Sequence, residues 1–328
     1  MVVPVYNSAA TLGKLVSRLE QVLGSVSDRF ELLLVNDGSD DGSWAALEQL
    51  AQAHESVRAI NLMRNYGQHN ALLCGIRAAR YDVVITLDDD LQNPPEEIPR
   101  LLAKLAEGYD VVYGSPHKEV HGLWRDVASQ LTKLALQKAM GAETARRVSA
   151  FRAVRTALRT AFANFAGPHV SIDALLTWGG ARFTSIPVRT DPRKVGASNY
   201  TVYALVVHAI NMVTGFSTLP LQLASILGFG FTLFGLALLV LVLARYWIHG
   251  GSVPGFPFLA SVIVVFAGAQ LFALGIMGEY LARMHFRMMD RPSYAIQEVI
   301  LHERDVAGSP ASVSSEADAL RHTHSKAF

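Results

Sequence analysis

Residues Asp82-Val-Val-Ile-Thr-Leu-Asp-Asp-Asp-Leu-Gln-Asn-Pro-Pro-Glu-Glu97 decide how the first two hundred residues are to be read. The run from Asp82 to Leu87 is apolar and β-branched, as a buried strand requires. It stops at three carboxylates, Asp88, Asp89 and Asp90. Pro94-Pro95 then opens an amphipathic stretch, Glu96–Glu107, with helical spacing. Successive carboxylates at the end of an apolar strand repel one another and lose hydration unless a cation sits there. Residues 88 and 90 share a side of an extended backbone. Oxygen ligands of this kind suit Mg²⁺ or Mn²⁺, with phosphate and water completing the shell. The competing reading is a solvated turn that caps the helix near Glu96.

The same unit of strand, polar end and helix recurs on the amino-terminal side. Val2–Val5, Glu31–Val35 and Val57–Leu62 read as strands, as does Asp110–Tyr113 further on. Ala9–Leu23, Ser43–His54 and Asn70–Ala79 read as helices. Alternation with near-continuous apolar strands predicts an α/β fold, a doubly wound, mostly parallel sheet covered on both faces. Ligands of such sheets bind beyond the carboxyl ends of the strands. Those ends read Pro4-Val5-Tyr6-Asn7, Asn36-Asp37-Gly38-Ser39, Arg64-Asn65-Tyr66-Gly67-Gln68 and the aspartate block. Alone, the Asp37 loop is also ordinary turn chemistry.

The carboxyl-terminal third has a different composition. Across the 328 residues, 51% are hydrophobic and only 17% charged, against about 25% charged in an average soluble domain. The excess is concentrated: no Asp, Glu, Lys or Arg occurs between Lys194 and Arg245, nor from there to Glu279. Two apolar runs, about 219–244 and 256–278, each reach the ~20 residues of a bilayer-spanning helix. The alternative is a pair of buried helices in a soluble core. Gly228, Gly230 and Gly235 suit close packing of the two spans. Arg189, Arg193 and Lys194 precede the first span, and Arg283, Arg287 and Arg291 follow the second. The positive-inside rule therefore places both termini and the amino-terminal domain in the cytoplasm, on a multi-pass protein of the cytoplasmic membrane. The chain opens within strand one, without the basic region of a signal peptide. Residues 201–218 are amphipathic and are expected either to lie on the bilayer or to pack on the preceding domain. A cytoplasmic tail, 283–328, is expected to lose order from about 303. A net charge of +1 gives no basic field for nucleic acid, and Cys74 alone forms neither a disulfide nor a cysteine zinc site.

Together, Pro4-Val5-Tyr6-Asn7, Asn36-Asp37-Gly38-Ser39, Arg64–Gln68 and Leu87–Glu96 resemble family 2 glycosyltransferases of the GT-A fold. With two carboxyl-terminal spans, the chain resembles the polyisoprenyl-phosphate branch, dolichol-phosphate mannosyltransferases and bacterial undecaprenyl-phosphate sugar transferases. The resemblance runs to about Gln297. It implies that Pro4, Tyr6 and Asp37 hold the nucleoside, that Asp88 lies against the nucleotide, and that Asp90 coordinates the metal with Gln92. It also implies that Arg125, in Trp124-Arg125-Asp126, and Arg152, in Ser149-Ala150-Phe151-Arg152, stand near the donor and acceptor phosphates. Arg193–Tyr200 resembles a loop that closes over the nucleotide. The chain departs from the family pattern at Ser8, where Glu is common, and at Asn199, where Lys is common. Arg147-Val148-Ser149 stand where an Asp often precedes the Phe-Arg pair.

The missing Asp has a chemical reading. A sugar hydroxyl acceptor needs a base. A phosphate monoester, with a second pKa of about 6, is already a dianionic nucleophile. The implied reaction is a single, inverting displacement of a nucleoside diphosphate by a polyisoprenyl phosphate, assisted by Mg²⁺ or Mn²⁺. Expected partners are a nucleotide-sugar donor, a polyisoprenyl phosphate and the bilayer, with room for self-association and no role for nucleic acid. Two other classes compete: a processive polysaccharide synthase, which the absent Gln-x-x-Arg-Trp motif opposes, and a non-catalytic nucleotide-binding membrane protein, which intact Asp88, Asp90 and Gln92 oppose.

Overall fold

The computed structural model describes residues 1–116, 147–167, 170–191, 219–249, 255–289 and 292–300. Arg125, the 193–200 loop, the 201–218 segment and the tail beyond 300 lie outside the described residues. The alternation appears as β1 (Val2–Val5), α1 (Ala9–Gly24), β2 (Leu32–Asn36), α2 (Ser43–Ala53), β3 (Val57–Leu62), α3 (Gln68–Ala78) and β4 (Val83–Thr86). A 3₁₀ turn, Pro95–Glu97, leads into α4 (Ile98–Ala106) and then β5 (Val111–Pro116). Beyond these come β6 (Arg152–Arg155), a 3₁₀ stretch Thr156–Phe162, α5 (Ile172–Thr177) and β7 (Phe183–Val188). The last elements are α6 (Leu219–His249), α7 (Phe256–Met288) and β8 (Ile296–Ile300).

The eight strands form one sheet in the order β7-β5-β6-β4-β1-β2-β3-β8. β1, β2, β3 and β4 run parallel, as do β5 and β7, whereas β6 and β8 are antiparallel to their neighbours. The mostly parallel α/β class follows from this. Every residue of β1, β2 and β3 is buried, as strands covered on both faces must be. α1 packs Leu12, Leu15, Val16, Leu19 and Leu23 inward at helical spacing, each fully buried aliphatic contributing about 1.5–3 kcal/mol. α4 does the same with Ile98, Leu101 and Leu105. On α3, Gly75 meets Val2 and Val35, so the absent side chain is what lets the helix lie close over β1.

Two strands escape the periodic reading. β6, Arg-Ala-Val-Arg, is too short and too charged at its ends to show a period, yet it inserts between β4 and β5. β8 falls within the expected tail. It pairs antiparallel with β3 from Ala59↔Ile300 to Leu62↔Ile296. Its sequence, Ile-Gln-Glu-Val-Ile, carries polar residues that an edge strand turns to water, so only a distant partner makes it a strand. It lies ahead of the residues, from about 303, that are expected to lose order.

The described residues form two compact units, 1–191 with 292–300, and 219–289. The second unit consists of α6 and α7, both long and apolar enough to cross a bilayer. Leu223, Ile226, Phe229, Leu271 and Phe272 are among their exposed side chains. Phe231 and Phe266 meet edge to face at 5.6 Å, and Gly235 admits the Phe266 ring. Among the described residues Gly228 and Gly230 face open space instead, and of the three only Gly235 is in close contact there.

Candidate active site

The polar strand ends converge at the carboxyl edge of the sheet and are tied into a ring of hydrogen bonds. Between β1 and β2, Asn7 N donates to Ser39 Oγ at 3.0 Å and Asp40 N to Asn7 Oδ1 at 2.9 Å. Between β2 and β3, Asp37 accepts Tyr66 N at 2.7 Å and Gly67 N at 2.8 Å. Gly38, at φ +66°, lies against the Arg64–Asn65 backbone where no Cβ fits. Between β1 and β4, Tyr6 N donates to Asp89 Oδ2 at 3.0 Å. Gln68 Nε2 closes the ring, donating to Asp88 Oδ1 at 2.6 Å. β3 and β4 are separated in the sheet by β1 and β2, so this last bond joins the two ends of the arc.

The three aspartates have different surroundings. Asp88 receives Gln68. Asp89 turns back to the β1 loop, where burial raises its carboxyl pKa against the lowering effect of the Ser8 hydroxyl and Tyr6 N–H. Asp90 Oδ1 accepts Gln92 N at 3.0 Å. Leu91 then turns the chain in the left-handed region, at φ 59°, and buries its side chain in the core. That conformation is uncommon for a bulky residue and reverses the backbone directly after Asp90. Gln92 O accepts Asp191 N at 2.8 Å. Among the described residues no three His, Cys, Asp or Glu side chains form a metal cage. A divalent cation held by Asp90 and Gln92 would need further oxygens from water and phosphates, the usual condition of Mg²⁺. The hard oxygen donors at this edge fit that condition.

The expected nucleoside residues are not equally available. Tyr6 is 43% exposed, open enough for its ring to meet a base. Pro4 is buried within β1, in register with Val35. Asp37 is buried as well, which raises its carboxyl pKa against the lowering effect of the Tyr66 and Gly67 amides. Its carboxylate holds the β3–α3 loop.

Arg152 is a buried residue of the sheet. It lies in register between Thr86 of β4 and Tyr113 of β5 and is 1% exposed. Its Nη1 pairs with Asp173 Oδ1, its Nε donates to Thr86 Oγ1 at 3.2 Å, and Tyr113 OH donates to Asp173 Oδ1 at 2.9 Å. Burial and the Asp173 charge push the Tyr113 hydroxyl pKa well above its ordinary value, so it remains a donor. Asp173, on α5, carried no motif; a carboxylate inside the apolar run Val170–Leu176 was its only sequence signal.

A sequence profile for glycosyl transferase family 2 matches residues 1–164. The undecaprenyl-phosphate 4-deoxy-4-formamido-L-arabinose transferase of Klebsiella pneumoniae subsp. pneumoniae is 37% identical over 303 residues, 92% of this chain and 93% of that protein. The transferase of the same name from Pseudomonas aeruginosa is 40% identical over 306 residues, 92% of this chain and 89% of that protein. The crystal structure of glucosyl-3-phosphoglycerate synthase from Mycobacterium tuberculosis, in complex with Mn²⁺, UDP and phosphoglyceric acid, aligns at a TM-score of 0.49 and 18% identity, over 65% of this chain and 75% of that one.

Proposed function

The chain belongs to glycosyl transferase family 2, and on that premise we propose that it moves a sugar from a nucleotide sugar to undecaprenyl phosphate at the cytoplasmic face of a membrane. One observation carries the acceptor. Similarity to undecaprenyl-phosphate transferases covers 92% of the chain, whereas the family profile ends at residue 164. An alignment of that extent cannot omit α6 and α7. Lipid around two long helices with exposed apolar side chains is the environment in which a polyisoprenyl tail also stays.

The roles follow from the ring at the sheet edge. Tyr6 meets the nucleoside, with Pro4 and Asp37 behind it holding the β1 and β3 loops. Asp88 stands beside the donor's phosphates, and Asp90 with Gln92 holds Mg²⁺ or Mn²⁺. When bound, the cation stabilises the diphosphate as it leaves. Arg125 is the candidate for the acceptor phosphate. A phosphate oxygen of the lipid attacks the anomeric carbon, the bond to the nucleoside diphosphate breaks, and its electron pair leaves on the diphosphate. No base is needed, because the acceptor is already ionised. Placement in line with the breaking bond is what the site supplies.

The test uses purified full-length protein in detergent and a panel of labelled nucleotide sugars, beginning with nucleotide-linked 4-deoxy-4-formamido-L-arabinose. Each is offered with undecaprenyl phosphate or with undecaprenol. Label entering the phosphate lipid alone, and disappearing with EDTA, is the expected result. Equal transfer to the free alcohol, or to a soluble sugar without lipid, would overturn the acceptor.

A further inference from the structure

Thr86, Arg152 and Tyr113 form one row across β4, β6 and β5, and Asp173 covers it from α5. Both charged groups are buried, with side-chain exposures of 1% for Arg152 and 10% for Asp173. A buried ion pair is a poor source of stability, because desolvating both charges offsets much of their attraction. Its geometry is nevertheless well determined: one carboxylate oxygen receives both the guanidinium and the Tyr113 hydroxyl.

The row has a definite neighbour. Thr86 is the last residue of β4, two positions before Asp88. Its hydroxyl accepts from Arg152 Nε and donates to Ala150 O at 2.5 Å. Thus the strand end that carries the aspartate block is bound, through one side chain, to the Ser149–Arg152 segment and to α5. Leu87, between Thr86 and Asp88, is fully buried, so a displacement at Thr86 has little slack to absorb it.

We propose that Asp173, acting through Arg152 and Thr86, is a positioning residue that holds the Leu87–Asp90 strand end in the shape that receives a divalent cation with the donor's diphosphate. The assignment rests on the function proposed above. It moves Arg152 from the acceptor phosphate to the support of the donor side. Loss of a group behind a metal ligand typically weakens the metal by about 10–100-fold, and that is the scale expected here.

The experiment titrates Mn²⁺, alone and with UDP, into the full chain in detergent. Binding is read by electron paramagnetic resonance without turnover, beside thermal unfolding and the KM values of donor and lipid phosphate. Asp173→Asn removes the charge at constant shape. Thr86→Val removes only the hydroxyl and decides the question if Asp173→Asn fails to fold. The expected result is folded protein with Mn²⁺ affinity lowered by about tenfold or more and a raised donor KM. Unchanged Mn²⁺ affinity in folded Thr86→Val or Asp173→Asn overturns the positioning role, as does a rise in the lipid-phosphate KM alone. Wild-type protein that binds no Mn²⁺, or binds it equally after Asp90→Asn, overturns the cation site itself and this proposal with it.

Discussion

Three adjacent aspartates have different surroundings, because a strand end presents neighbouring residues to different sides. Asp89 is held by the β1 loop, and burial raises its carboxyl pKa. A carboxyl whose folded pKa exceeds its unfolded one binds its proton more tightly in the folded state, so it opposes folding once the pH rises above the folded value. Asp89→Asn keeps an acceptor for Tyr6 N–H and carries no charge. Its melting temperature should exceed that of wild type near pH 7. The advantage should shrink as the pH falls through the raised value towards the ordinary 3.8. Melts showing no such gain, or a gain that grows in acid, would contradict this account. Asp90→Asn should differ in kind, remaining folded while transfer drops by about a hundredfold, the scale on which a group that stabilises leaving charge acts.

At the scale of elements, the position of α3 sets the ring. Its first residues supply the Gln68 that closes the arc onto Asp88, and its middle rests on β1 at Gly75. A methyl at position 75 would collide with Val2. Gly75→Ala is therefore expected to cost about 1–3 kcal/mol, the usual penalty of overpacking, measured as a lower denaturation midpoint. Val2→Ala in the same chain should recover part of the loss, since it removes the atoms struck. A double variant no more stable than Gly75→Ala would place the strain elsewhere. This position is legible only in three dimensions. In the sequence, Gly75 is one small residue in an ordinary amphipathic helix.

In the whole molecule, the helical unit is an insertion within the sheet unit's chain. The sheet takes its strands from before α6 and its edge strand β8 from after α7. A chain that leaves for a bilayer and returns to the same folded unit crosses an even number of times, which two spans satisfy. From the basic flanks we propose that this unit lies in the cytoplasm, with the loop around Ser252 outside. In intact cells a cysteine introduced at Ser252 should react with an impermeant thiol reagent, and one at the exposed Ser27 only after permeabilisation. The background is low: Cys74 is the one native cysteine, fully buried, and burial pushes its thiol up to about 12. The opposite labelling pattern would reverse the orientation and remove the access to cytoplasmic donors.

The sequence by itself determined the alternation of strands and helices, the gathering of polar groups at their carboxyl ends, the carboxylates of residues 88–90 and the two apolar helices. All of these are written in composition and period over a few neighbouring residues. The tertiary structure decided what contact at a distance decides. Asp37 and Arg152 carry the motif residues of a ligand site, yet they are buried, because their partners arrive from the β3 loop and from α5. Asp173 and Thr86 carried no motif at all. β8 is a strand because β3 offers an edge, and its Gln297 meets Asn61 across 236 positions. No local period records such a partner. The free energy that selects it belongs to the pair, and the pair exists only after the chain has folded.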